Sequence, residues 1–507
     1  MKFQSIIFRD ENSSSFHVWD ETFLKDLQIN EIVESILKNF KDRGIKNTFY
    51  RTLKHSKDIN YRLDVFRNLE NREILDPLQN LSDAVLKFLD LQREYQNSYE
   101  YIREAEIIRV LSQIVTYLGN ACNALKNLKY PSEALELFGE YLDTFMKSSR
   151  VVSFRKKLEK LKSEISSIKF CLLLQENSIK VFKCKDGENL INFINLVFGL
   201  QNDSMVIEKS SIEKSQPSTY IKYEIIRLVA GLFPNEFRDI LDFNFEFSDL
   251  IPYEIVKFAC DFQFYSSYIK MMDNLANAGF KFCIPEISED NTIFLIKDGY
   301  NLNLAIKNLK IGRRKVIPND IELDSDNRIA AITGPNSSGK TTLVIAVGQI
   351  VYFASMGLPV PATYVKIPLF TAIETLFPAS ENIEDMIGRL EDELRRMRNI
   401  LKRADENTLV IMNEFLGSTS EKDALNLYEK ILPMIAEKNS YGLFVTFVDG
   451  IQHLNYIKVY SAVVPEDDPT EKTFIFRQGR LLARNYALEI AKHYRILFEK
   501  HSGGAYE

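Results

Sequence analysis

The chain has 507 residues, 45% of them hydrophobic and 12% aromatic, which supplies apolar material for about two to four packed domains and excludes a disordered polymer. Its 64 basic and 70 acidic side chains leave a net charge of −6, so there is no global basic excess, and any DNA contact must use local patches. The five cysteines (Cys122, Cys171, Cys184, Cys260, Cys283) form no C-x-x-C and the five histidines no H-x-x-x-H, which excludes a zinc site and predicts reduced thiols in a cytoplasmic chain.

The first residues, MKFQSIIFRDENSS, hold too short an apolar core for a signal peptide. From residue 20 to about 175 apolar residues recur every three or four positions with few breakers, which predicts long helices. One of them carries a basic face at Arg155, Lys156, Lys157, Lys160 and Lys162, with Glu159 and Glu164 interspersed; it reads as a solvated surface or as a DNA-facing patch. Over 170–187 the period changes to two strand-like runs, with Lys180, Lys183 and Lys185 around the second, and predicts a β-hairpin. Residues 203–219 are polar and read as a loop, and a second helical series follows from Tyr220 to Gly279. The expected shape is a helical arm that leaves a base, turns and returns. Strands and helices then alternate from about 286 to the end, as in a nucleotide-binding α/β domain. The predicted organisation is therefore an all-α core (1–80), a helical lever arm with a small β clamp near 170–187 (81–285), and an α/β P-loop, ABC-like ATPase domain (286–507). The apolar stretch 343–362 contains Gln349 and ends in Gly357, Pro359 and Pro361, so it reads as a helix buried on a sheet and not as a membrane span.

The segment ITGPNSSGKTTL, 332–343, fits G-x-x-x-x-G-K-[ST] through Gly334, Gly339, Lys340 and Thr341, after the strand-like run 328–333. Glycines let backbone N–H groups turn inward on phosphates at the start of a helix, where the dipole also favours an anion. Gly334, Pro335, Asn336, Ser337, Ser338, Gly339, Lys340, Thr341 and Thr342 are the candidate ATP-binding residues, with Lys340 reaching the β- and γ-phosphates and Thr341 on Mg²⁺. A second apolar run, 409–412, ends in Asn413-Glu414. Glu414 is the candidate catalytic residue that orients water. Asn413 stands behind the metal where P-loop ATPases carry Asp, so weaker Mg²⁺ retention and slower chemistry are expected. After a third run, Phe447 occupies a position that in related ATPases holds a phosphate-sensing His, and it cannot hydrogen-bond there; Asp449 is a substitute or a turn former.

These motifs together resemble the MutS family of DNA mismatch-repair ATPases. ITGPNSSGKTT looks like that family's loop, with Asn336 characteristic; LVIMNEFLGSTSEKDAL matches its Walker B segment at Glu414, Gly417, Thr419, Ser420 and Asp423; PVPA (359–362) and VIPND (316–320) match flanking motifs. The likeness covers about 310–495, and FYRTLKHSKDINYRLDVFRNLEN (49–71) is similar to the family's core domain. The departures are Asn413, Phe447, the lack of a mismatch-reading segment before the core, and Gly388-Arg389 where the family has a signature Ser facing the partner's phosphate. The resemblance implies a short, divergent branch: a homodimeric, cytoplasmic, DNA-associated clamp that binds ATP and Mg²⁺, hydrolyses slowly, and touches no membrane. The alternative is a nucleotide-dependent structural or regulatory module that holds protein partners without reading mismatches. An ABC transporter ATPase is excluded by the missing LSGGQ-like segment.

Overall fold

The apolar periodicities resolve into the elements of a multidomain, mixed helical and α/β chain. The computed structural model describes residues 3–9, 16–18, 21–41, 44–93, 100–175, 178–186, 188–189, 219–313, 315–378, 386–417, 419–448, 450–465 and 472–479. They form two compact units, one made of Met1–Arg9 and Asn68–Gln263, the other of Asp10–Arg67 and Phe264–Glu507.

After Met1–Arg9 the chain enters the second unit with β1 (Phe16–Val18), α1 (Glu21–Asp26), α2 (Ile29–Leu37), α3 (Ile45–Thr48), β2 (Arg51–Leu53), antiparallel to β1, and α4 (Ser56–Leu69). Helix α2 buries Ile29, Ile32, Val33 and Ile36, the three-and-four spacing of a one-sided helix.

The first unit is mainly helical: α5 (Arg72–Arg93), α6 (Glu100–Lys126), α7 (Glu133–Met146), α8 (Ser149–Ser167), a sheet of β3 (Lys169–Gln175), β4 (Ser178–Lys183) and β5 (Glu188–Asn189), then α9 (Thr219–Leu232), α10 (Pro234–Phe247) and α11 (Tyr253–Ala276). The unit boundaries fall inside α4 and α11. Side chains of Ser132 and Ser148 accept N–H groups of α7 and α8, which starts both helices cleanly. Phe154, Phe243 and Phe247 form an aromatic core beneath α8 and α10. The expected hairpin is present, with β3 central and Leu172 opposite Val181. The expectation of reduced thiols is corrected here: Cys171 and Cys184 are joined in a disulfide, their Cα atoms 5.9 Å apart. Pairing β3 with β4 puts Cys171 opposite Phe182 and brings Cys184, just past the end of β4, within reach of it, which spacing alone does not reveal. Of the segment read as a loop, 203–218 lies outside the described residues.

The remainder of the second unit runs β6 (Glu286–Ser288), β7 (Ile293–Gly299), α12 (Leu302–Lys310), β8 (Asn319–Asp324), β9 (Ile329–Thr333), α13 (Lys340–Ser355), β10 (Tyr364–Pro368), β11 (Ala372–Leu376), α14 (Met386–Arg403), β12 (Thr408–Asn413), α15 (Glu421–Glu437), β13 (Tyr441–Val445), β14 (Ile457–Ala462) and β15 (Phe476–Gln478). Two sheets result, a six-stranded one in the order β11-β12-β13-β9-β14-β15 and a four-stranded one in the order β6-β10-β7-β8. From β11 to β14 the larger sheet is parallel, and β15 closes it antiparallel. Its central strands are buried on both faces, so β12 and β13 read as continuous apolar runs.

Helix α13 packs against β12 and β13 of this sheet and also against β7 and β2. From Leu343 to Ser355 every side chain is buried, which accounts for the apolar stretch at 343–362; among the described residues no helix is long and apolar enough to cross a membrane. One polar side chain sits inside this packing. Gln349 is fully buried, accepts the Leu302 N–H at 2.8 Å and donates to the Leu27 carbonyl at 2.9 Å. Tyr352, also fully buried, donates its hydroxyl to the Phe49 carbonyl at 2.7 Å.

Replacing Gln349 by Leu would orphan one buried donor and one buried acceptor. The expected loss is about 2–4 kcal/mol of unfolding free energy, measured by urea titration against the wild-type chain.

Candidate functional site

The site is assembled at the carboxyl edge of the parallel strands, where loops converge. Strand β9 ends at Thr333, and the glycine-rich loop 334–339 leads into α13. Two glycines are required by geometry. Gly334 has φ 144°, and a Cβ there would lie 2.6 Å from the Ala462 Cβ; Gly339 has φ 97° and caps α13 in the left-handed region. Asn336 and Ser337 are exposed, Gly334, Pro335 and Thr341 half-buried, and Thr342 exposed. Ser338 is buried, and its Oγ has no hydrogen-bond partner.

Lys340, 4% exposed, curls back on the loop and donates from Nζ to the carbonyls of Gly334 and Pro335, each at 2.9 Å. The same ammonium lies 4.0 Å from the centroid of the Phe447 ring, a cation–π contact. Burial pushes the Lys340 pKa down to about 8, and the nearby Glu414 carboxylate opposes that shift. Phe447 therefore has a partner of its own: unable to hydrogen-bond, it covers the lysine through its ring face.

One hydrogen bond joins the two motifs. The Thr341 hydroxyl donates to Asn413 Oδ1 at 2.9 Å, across from β9 to β12 by way of α13. Strand β13 lies between β9 and β12, and its end delivers Thr446 and Phe447 to the same edge. The Thr446 N–H donates to the Ile332 carbonyl, tying that end to β9. Glu414 follows Asn413 with φ 53°, half-buried, its N–H bonded to the Val445 carbonyl at 3.2 Å. The residues that complete the Walker B-like segment have a structural task. Ser420 Oγ accepts the Asp423 N–H and donates to the Asp423 carboxylate, a reciprocal cap that starts α15.

The structure thus brings Gly334 to Thr342 together with Asn413, Glu414 and Phe447. Gly388 lies exposed in the first turn of α14, the Arg389 side chain is outside the described residues, and so is Asp449. Two residues that motif reading passed over belong to the neighbourhood. Phe474, 43% exposed, stands beside the loop, 3.2 Å from where a Gly339 Cβ would be, and its segment is clamped by Asn319, whose amide donates to the Phe474 carbonyl and accepts the Phe476 N–H. Glu393 of α14 is buried and accepts the Leu416 N–H just past Glu414. The signal for Glu393 is an acid within the apolar stripe Leu390, Leu394, Met397, Leu401. Among the described residues no cluster of His, Cys, Asp and Glu could hold a metal ion by itself.

Residues 330–495 match the sequence family described as MutS domain V. A DNA mismatch repair protein MutS of Caldicellulosiruptor saccharolyticus is 24% identical over 90% of this chain and 54% of its own length. By these two matches the chain is similar to MutS proteins. The MutS of Caldicellulosiruptor bescii is 36% identical over 29% of this chain and 17% of its own length, and that of Acetivibrio thermocellus 35% over 34% and 20%. The chain therefore spans about half the length of the first of these relatives.

The loop geometry leads to a direct check. Gly334→Ala places a Cβ against Ala462 at a φ that L-residues avoid, and is expected to cost on the order of 1–3 kcal/mol, read as a lower thermal midpoint.

Proposed function

We propose that this MutS-like chain binds ATP with Mg²⁺ and acts as a homodimeric, DNA-associated clamp whose hydrolysis is slow. The observation that carries the reading is the Thr341 to Asn413 hydrogen bond, which sets the loop, the strand end and Glu414 around one point. The residues fit a polyphosphate. The loop needs two glycines in conformations closed to other residues, a buried hydroxyl at Ser338 lacks a partner, and the Lys340 ammonium is held by loop carbonyls that an anion can replace. Phe474 offers an exposed ring beside Gly339 on which a base can stack.

Thr341 and Asn413 would hold Mg²⁺, which supplies charge neutralisation on the phosphates. Both are neutral. In the proposed chemistry Glu414 accepts a hydrogen bond from the attacking water and orients it, Lys340 compensates the charge that develops on phosphate oxygens, and the packed strand ends exclude bulk water. Asn413 contributes no negative charge, and for that reason the turnover is slow. By likeness to the family, the two nucleotide sites are completed across a dimer, with the first turn of α14 at Gly388 and Arg389 facing the partner's phosphate.

DNA contact would fall to local basic patches. On α8, Lys157 pairs with Glu246, Lys160 with Glu164 and Lys162 with Glu159, while Arg155 and Lys156 are exposed. On the hairpin Lys180, Lys183 and Lys185 are exposed, and in the other unit so are Lys310, Arg313 and Lys315. The neutralised α8 lysines favour the second reading, a nucleotide-dependent module that holds protein partners, and a salt series separates the two. DNA retention whose logarithm falls linearly with log salt supports the clamp, and no such slope supports the module.

Single-turnover hydrolysis with and without DNA tests the central reading. Lys340→Ala is expected to weaken ATP binding by about 100-fold, and Glu414→Gln to keep binding while slowing hydrolysis by roughly 100-fold or more. Asn413→Asp is expected to lower the Mg²⁺ concentration at half-maximal rate by about tenfold. Unchanged ATP affinity in Lys340→Ala would refute the proposed site.

A further inference from the structure

We infer that Glu393 is a positioning residue for Glu414, and that through it helix α14 sets the conformation of the turn 414–417. The inference rests on the proposed role of Glu414 and adds to it a means by which one helix controls that role.

The turn is an unusual object. Glu414 and Leu416 have φ 53° and 65°, so two residues with side chains occupy the left-handed region within three positions. Such a conformation persists only where its surroundings hold it. Three holders come from three different elements. From β13 the Val445 carbonyl accepts the Glu414 N–H at 3.2 Å. From α15 the buried Tyr428 hydroxyl donates to the Phe415 carbonyl at 2.6 Å. From α14 Glu393 Oε2 accepts the Leu416 N–H at 3.2 Å. A fourth bond, Gly417 N–H to the Glu414 carbonyl at 3.1 Å, is internal to the turn.

Glu393 is the holder whose presence packing does not explain. It is 7% exposed and lies on the apolar stripe of α14, where an apolar residue of similar size would bury more favourably. A carboxylate there accepts a backbone N–H that would otherwise lose this partner. Helix α14 is itself fixed to the sheet by Arg396, which donates to the carbonyls of Phe377 and Thr375, and by the Arg403–Glu374 ion pair. Gly388 lies five residues before Glu393, roughly 7.5 Å along the helix axis at 1.5 Å per residue. Displacement of the first turn of α14 is thus transmitted within about one and a half turns to the acceptor that holds the Glu414 turn.

The test compares Glu393→Met, which keeps the volume and removes the acceptor, with Glu393→Gln, whose amide oxygen still accepts. Neither carries charge, so their difference isolates the hydrogen bond. In the full chain without nucleotide, hydrogen exchange of the 414–417 amides is expected to rise about tenfold in Glu393→Met and to stay near wild type in Glu393→Gln. With ATP, Glu393→Met is expected to lower the single-turnover rate by about 10–100-fold at unchanged ATP affinity, and Glu393→Gln to recover most of it. Wild-type exchange in Glu393→Met, or raised exchange with an undiminished rate, overturns the inference. Equal losses in both variants also overturn it, because they trace to the lost negative charge and not to the acceptor. A wild-type chain that binds ATP without turnover refutes the role of Glu414, and the exchange measurement then decides by itself whether Glu393 holds the turn.

Discussion

The burial of α13 is the constraint on which the second unit depends. A helix buried along almost its whole length must find apolar partners on every side, and these come from both ends of the chain: Gly348 approaches Leu27 and Ile411 so closely that a Cβ would lie 2.5 Å from a Leu27 methyl. Because the first residue of that helix is Lys340, whatever fixes the helix also fixes the loop before it. Gln349 and Tyr352 secure the packing to Leu27 and Phe49 with hydrogen bonds, which are directional where apolar contacts are not. The loop 334–339 is thus anchored to a framework that begins near residue 16 and resumes after residue 264.

That framework explains which parts were legible beforehand. The strand, loop and helix around 332–343 could be read because the glycines, the lysine and the flanking apolar runs are local, and each answers to backbone geometry within a dozen positions. The apolar runs ending at Met412 and Val445 were legible for the same reason, since parallel strands buried on both faces leave no alternation to confuse with a surface strand. The hairpin near 170–187 was visible in its change of period.

Non-local features were not legible. That residues 16–67 pack with 264–479 depends on contacts such as Tyr352 to Phe49, about 300 positions apart, which no window of sequence contains. Phe447 could be recognised as unable to hydrogen-bond, but its cation–π contact with Lys340 appears only when β13 and β9 lie side by side. Phe474 reaches the loop because β15 returns antiparallel to β14, and Glu393 matters because a turn in another segment has an N–H to satisfy. Cys171 and Cys184 belong to the same class: thirteen positions apart, they become partners only through the register of β3 and β4.

That cross-link has a topological consequence. The backbone between its two cysteines and the disulfide together form a closed covalent ring, and β3 is joined by sulfur to the residue that follows β4 as well as by the peptide chain. A single cut in the backbone between Cys171 and Cys184 would therefore release no fragment. The two halves of the chain would travel as one molecule until a reductant cleaved the disulfide, and only then would the cut become a break.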